Sequence, residues 1–296
     1  VDAHTVEPVD TLICARWTVP VEPRHTVLED HALAIRDRRI VDLLPQEEAK
    51  LAYSPADTAH LDEHVLFPGL VNTHTHAAMT LLRGLADDLP LMVWLNEHIW
   101  PTEGRWIGAD YVRDGTELAV AEMLLGGVTC FNDMYFFPEV VADTVRRSGM
   151  RAAVGLIAVE FPSAWARTAD EYLDKGLELH ASLDGDPLVR CVLAPHAPYT
   201  VGDAALARVA RLAREHDLRV HIHVHETADE IAQSLDEHGC RPLERLDRLG
   251  LVDRRLVAVH MTQLTDAEIE QVAEVGASVV HCPESNLKLA SGFAPV

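Results

Sequence analysis

Apolar and polar positions follow two different rhythms along this chain. From Thr11 to about Phe67 the apolar runs are short: Thr11-Leu12-Ile13-Cys14-Ala15 and His31-Ala32-Leu33-Ala34-Ile35 are broken by Pro20, Pro23, Asp37 and Pro45. Runs of this length between turn formers predict β-strands. Residues 1–66 are accordingly read as a small β-sandwich appendage. After Pro68-Gly69 the rhythm becomes apolar run, loop, amphipathic stretch, repeated to the end, which is the pattern of parallel βα units. Strands are expected at Leu70–His76, Val128–Tyr135, Ala152–Val159, Val189–Pro195, Arg219–His225, Leu256–Met261 and Ser278–Cys282. The clearest helices are Asp203–His216, with Leu206, Val209, Ala210 and Ala213 on one face, and Asp266–Val275, opened by Thr265 with Glu268 at the capping-box position.

Seven strands fall one short of a closed (β/α)8 TIM-type barrel. Residues 67–296 are read as such an α/β barrel, with the eighth strand expected beyond Val296. The start at Val1, without an initiator Met, suggests that the natural chain extends at that end too.

Composition narrows the partners. A chain of 296 residues with 48% hydrophobic content can bury one large core. Its 47 acidic against 25 basic residues give a net charge of −22, which repels phosphate backbones and anionic lipid, so neither nucleic acid nor a membrane is expected as a partner. The five cysteines are scattered and form no C-x-x-C, which suggests neither a disulfide framework nor a thiolate zinc site and fits a reducing cytoplasm. No secretory leader and no charge-free stretch long enough to span a bilayer is visible, and the protein is expected to be soluble. The 17 histidines are the anomaly, because several cluster at the ends of apolar runs, as metal ligands do.

The first barrel strand ends Asn72-Thr73-His74-Thr75-His76. Side chains two apart on a strand share a face, so His74 and His76 can grip one ion. The fifth strand carries His221, His223 and His225 at one parity, followed by Glu226, which needs the loop to turn it inward. Three buried imidazoles want partners, so at least one metal contact is expected there, and spacing leaves open which. His196, His260 and His281 end three further strands, so five strands place polar groups at one rim.

These segments resemble the amidohydrolase superfamily and, within it, the 5'-methylthioadenosine/S-adenosylhomocysteine deaminases. The resemblance rests on Pro68 to His76, Met79-Thr80-Leu81-Leu82-Arg83-Gly84, Pro195-His196-Ala197-Pro198-Tyr199, His223-Val224-His225-Glu226-Thr227 and Ser285-Asn286-Leu287-Lys288-Leu289. It implies a metal-dependent hydrolase barrel in which His74, His76 and His223 are the visible metal ligands. A fourth ligand, an aspartate ending the eighth strand, would lie beyond residue 296. It further implies that Glu226 carries protons, that His260 hydrogen-bonds the attacking water or tetrahedral centre, and that Glu103 and His196, together with Glu226, bind a nucleoside.

Binuclear relatives bridge two metals with a carboxylated lysine ending the fourth strand. The only lysines here are Lys50, Lys175 and Lys288, so one ion is expected, zinc first and iron or manganese as alternatives. The expected reaction is hydrolytic deamination of the adenine ring, with a metal-activated water as nucleophile. The stretch Gly155-Leu156-Ile157-Ala158-Val159-Glu160 is apolar where some relatives place carboxylate-binding arginines, and Arg167 comes only later. That favours 5'-methylthioadenosine or adenosine over S-adenosylhomocysteine. Competing readings are a guanine, pterin or s-triazine aminohydrolase on the same scaffold, and a catalytically silent metal-binding barrel. By resemblance a homo-oligomer is expected.

Overall fold

The structure is a computed structural model describing residues 6–295. It divides into two compact units, the first ending at Gly69 and the second starting at Leu70.

The N-terminal unit contains β1 (Glu7–Thr18), β2 (Leu28–Arg36), β3 (Arg39–Pro45) and β4 (Tyr53–Leu66), paired in the order β3-β2-β1-β4. β1 runs antiparallel to β2, with Leu12 opposite Ala34 and Cys14 opposite Ala32, and parallel to β4. These residues, with Val9, form a small core closed by Ala49 from the helix Gln46–Ala52. The appendage read as a sandwich is thus, among the described residues, a single sheet. The helix Gln46–Ala52 packs Ala49 onto the apolar face of that sheet.

The larger unit holds β5 (Leu70–Thr75), β6 (Val128–Asp133), β7 (Arg151–Ala158), β8 (Val189–Pro195), β9 (Val220–Val224), β10 (Leu256–His260) and β11 (Ser278–Val280). Each strand pairs in parallel with its sequence neighbour, as in the (β/α)8 TIM-type barrel. The strands are apolar on both faces because helices cover them outside and side chains fill the inside. Phe131, Leu156, Leu193, Ile222 and Leu256 are all fully buried. Helix Asp203–Glu215 buries Leu206, Val209, Ala210 and Ala213 against this sheet. Helix Asp266–Val275 begins in a complete capping box between Thr265 and Glu268. At Gly155 a Cβ would stand 2.5 Å from the Asp133 carbonyl oxygen and 2.8 Å from Ala194 Cβ, so β7 passes its neighbours at a spacing only glycine allows.

Strands end where side chains must leave the pleat. His225, His260 and Met261 have φ of 54°, 76° and 51°, the left-handed region that non-glycine residues avoid. All three lie at the C-terminal rim, where barrels of this type carry their chemistry.

Candidate metal centre

His74, His76, His196, His223, Glu226 and His260 line one cavity of about 430 Å³ at that rim. His74 and His76 come from the end of β5, whose turn is fixed from below: Asp133 Oδ1 accepts the Ala77 N–H (2.7 Å) and lies 2.8 Å from the Thr75 hydroxyl. Burial pushes the Asp133 carboxyl up to about 6, and these bonds pull the other way. The ring centroids of His74, His76 and His223 form a near-equilateral triangle with sides of 4.8, 4.8 and 5.2 Å.

Hydrogen bonds set the state of each ring. His76 Nδ1–H donates to the Met134 carbonyl (2.6 Å) and His223 Nδ1–H to the His196 carbonyl (2.6 Å). Since a backbone carbonyl only accepts, both rings keep their Nε2 lone pair for an ion, the usual outer arrangement around metal-binding imidazoles. His74 Nε2 lies 3.1 Å from His223 Nε2, and its Nδ1 lies 3.1 Å from Nε2 of His221. Burial, followed for His74 and His223 by the neighbouring imidazoles, holds all three rings below the usual histidine range, so they are neutral as ligands must be.

Ligand atoms of His74, His223 and His260 also lie within 4.8 Å of one another. His260 differs chemically from the rest. The Asn286 amide nitrogen, a donor, lies 3.0 Å from its Nδ1, which assigns the imidazole proton to Nε2. That nitrogen stands 3.3 Å from Glu226 Oε1. Burial lowers the His260 ring to about 4 and raises the Glu226 carboxyl to about 8, with Glu230 adding to the latter.

The three histidines of the fifth barrel strand separate as parity alone could not show. His221 and His223 both meet the His74 ring from β9, while His225, at positive φ, is not among the residues that line the cavity. The His225 Nε2 accepts the Leu243 N–H (3.1 Å) and lies 3.8 Å from Glu268. The turn at His225 brings Glu226 inward. Glu230, at the capping-box position of helix Ala228–His238, accepts the N–H groups of Glu226 (2.7 Å) and His225 (3.1 Å) and so fixes that turn.

Glu103 does not line the main cavity. It borders an adjoining space of about 70 Å³ that shares His76, Trp94, Leu95 and His196 with it. The remaining walls are Met79, Ile99, Trp100, Met134, Tyr135, Phe136, Ile157, Val159 and Phe161, with no basic side chain. Tyr135 donates its hydroxyl to Glu103 (2.6 Å), whose carboxyl burial raises to about 7. His196 Nδ1 lies 3.0 Å from the Thr200 hydroxyl oxygen. His281 lines the main cavity, and its Nδ1 is buried without a partner. No lysine lines either space among the described residues. Sequence reasoning gave no role to Asn286, Glu230 or Tyr135. For Glu230 the capping spacing after Thr227 was a signal, and Asn286 sits inside one of the quoted family segments.

Comparison with known proteins places this geometry. Residues 65–296 match the model of the amidohydrolase family. The chain is 50% identical over 97% of its length to a 5-methylthioadenosine/S-adenosylhomocysteine deaminase of Teredinibacter turnerae, and 47% identical over 98% to one of Saccharophagus degradans. It spans 65% of the length of each. Among solved structures, a zinc-bound adenosine deaminase from Xanthomonas campestris superposes with a TM-score of 0.97 at 57% identity, over 98% of this chain and 66% of that one.

Proposed function

The chain belongs to the amidohydrolase family, and on that premise we propose that it is a zinc-dependent aminohydrolase releasing ammonia from the adenine ring of a nucleoside, 5'-methylthioadenosine before adenosine. One observation carries the reading: a buried carboxyl held neutral at pH 7, Glu226, shares a cavity with three neutral imidazoles whose rings form one triangle. The zinc in the Xanthomonas relative and the deaminase names of the longer relatives support the same reaction.

The donor set fits zinc, with His74, His76 and His223 as the proposed ligands. When bound, zinc supplies Lewis acidity that activates a water for attack on an electron-poor ring carbon. Glu226, whose carboxyl burial pushes up to about 8, would donate to the ring nitrogen beside that carbon, take up the proton that the attacking water loses, and pass it to the departing amine. His260 presents its Nε2–H from the same wall and stabilises the developing negative charge. His196 orients the nucleoside from the neighbouring rim.

Glu103 is the proposed acceptor for the ribose hydroxyls, with Tyr135 holding its other side. Beyond it the walls offer a thioether aromatic and aliphatic contacts and no cation for a carboxylate. Arg167, the arginine that follows this wall in sequence, is exposed and outside both spaces. These features support 5'-methylthioadenosine over S-adenosylhomocysteine as substrate. The five cysteines, all free, support a reducing compartment.

The test is a panel of purine nucleosides and free bases followed by ultraviolet absorbance, run with the parent protein and Glu226→Gln. Turnover of ribosylated adenines by the parent alone, with near-stoichiometric zinc in both proteins, is expected. Turnover of guanine, pterins or triazines in their place, or full activity in Glu226→Gln, would remove the reading.

A further inference from the structure

We propose that His221 is a positioning residue: its Nε2 accepts the Nδ1–H of His74 and so holds that ring with its Nε2 lone pair available to a metal ion. The inference rests on the reading of His74 as a ligand and goes beyond it, to what makes His74 competent.

The argument starts from proton counting. A neutral imidazole has one N–H and one lone pair. His74 Nδ1 and His221 Nε2 lie 3.1 Å apart, so one of them donates and the other accepts. If His221 donated, the single proton of His74 would sit on its Nε2, and the ring would have no lone pair where the triangle converges. That N–H would donate to the lone pair of His223 Nε2, 3.1 Å away, a state that satisfies the metal-free site but closes it to an ion. His223 and His76 are each fixed in the opposite state by a backbone carbonyl. His74 matches them only if His221 accepts, because His221 is the partner its Nδ1 has.

The environment of His221 makes that direction costly as packing, so it needs a reason in the site. It is fully buried, one pleat repeat below His223 on β9, and its own Nδ1 has no hydrogen-bond partner. With His221 as acceptor, that Nδ1 carries a buried N–H without an acceptor, an arrangement that disfavours folding and that an aliphatic side chain of similar size would avoid. As packing alone, an imidazole here is a poor choice. As an acceptor for a ring that no carbonyl reaches, it has a function that leucine cannot supply.

The test uses the full chain with His221→Leu, His221→Gln and His74→Ala. Gln places a carbonyl oxygen near the position of the imidazole Nε2, so it restores the acceptor without the ring. Zinc affinity by competition with a chelator, the absorption spectrum of the cobalt-substituted protein, and melting of the metal-free protein are read for each variant. His221→Leu is expected to weaken zinc binding about 10–100-fold while the metal-free protein melts no lower than the parent, and His221→Gln to recover most of the loss. In the 15N spectrum of the histidine-labelled, zinc-loaded parent, His221 is expected in the Nδ1-protonated form, with its Nε2 accepting from His74.

Zinc affinity in His221→Leu equal to the parent, no recovery in His221→Gln, or an Nε2-protonated His221 in the zinc-loaded protein would each overturn the proposal. The spectrum decides the matter even if the Leu variant fails to fold. His74→Ala separates the two levels of argument. If it leaves zinc binding intact, the metal site itself is misassigned. If it abolishes binding while His221→Leu does not, only the role of His221 falls.

Discussion

Substituting Gly155 by alanine should loosen both the barrel and its centre, by an amount the packing defines. The new methyl carbon would stand 2.5 Å from the Asp133 carbonyl oxygen, 2.8 Å from Ala194 Cβ and 3.3 Å from Met134 Cα. Reaching the 3.0–3.4 Å of tight real contacts requires β6 and β7 to part by about 0.5–0.9 Å, and two of these three neighbours are backbone atoms that cannot rotate away. Overpacking of this kind costs roughly 1–3 kcal/mol, equivalent to a fall of about 2–12 °C in Tm for a unit of this size. The displacement is aimed at the site. Asp133 fixes the turn that follows His76, and the carbonyl of Met134, the next residue, is what orients the His76 ring. Thermal unfolding of the metal-free protein and zinc affinity should therefore fall together. Gly104→Ala is the control, because no atom lies within 4 Å of its added carbon, and it should be neutral or slightly stabilising. A Gly155→Ala protein melting within about a degree of the parent would refute the close-approach reasoning.

Two further outcomes follow from the cavity. Burial raises the Glu103 carboxyl to about 7, so it is protonated below that pH and loses acceptor capacity for ribose hydroxyls. KM for a nucleoside should then rise as pH falls below 7, by up to about tenfold per pH unit, while KM for any free base stays flat; a pH-independent nucleoside KM would exclude Glu103 as the ribose acceptor. Asn286→Asp replaces the donor facing His260 Nδ1 with a group that accepts, which moves the imidazole proton off Nε2. Steady-state assays should show kcat lowered at least about tenfold, the loss of one good hydrogen bond, with zinc content unchanged. An unaltered kcat would show that His260 needs no orientation from Asn286.

Most of the barrel was legible because a buried parallel strand announces itself as an apolar run closed by turn residues. Val189–Pro195 is bounded as expected, and the others end within a few residues of the expected limits. What the pattern left open falls at the rim, and it has one cause. Alternation predicts facing only while the chain stays in the pleat, and at His225 it leaves, with φ of 54°. Parity therefore made His221, His223 and His225 look equivalent, while the structure gives them three different surroundings. The same turn delivers Glu226 to the cavity against its parity. What no pattern could reveal is the hydrogen-bonded shell: which carbonyl meets the His76 ring, or that Asn286 reaches across 26 residues to His260. Those pairings depend on how strand ends lie in space. In the N-terminal unit short strands and prolines suggested two stacked sheets, and the described residues hold one four-stranded sheet whose core includes Ala49 of the helix Gln46–Ala52.

The sequential order of the parallel strands bears on how the protein is made. Each strand finds its partner in the neighbouring βα unit, so the sheet can grow from its N-terminal edge as the nascent chain leaves the ribosome. The centre breaks that locality, because His74 and His223 are 149 residues apart. A nascent chain that has completed β8 already holds a packed half-barrel and two of the three imidazoles, but nothing for them to converge on. With His74, His76 and His223 as the proposed ligands, competence to capture an ion would arrive abruptly, when β9 docks, and the moment of metal capture during synthesis or refolding would time-stamp that single event.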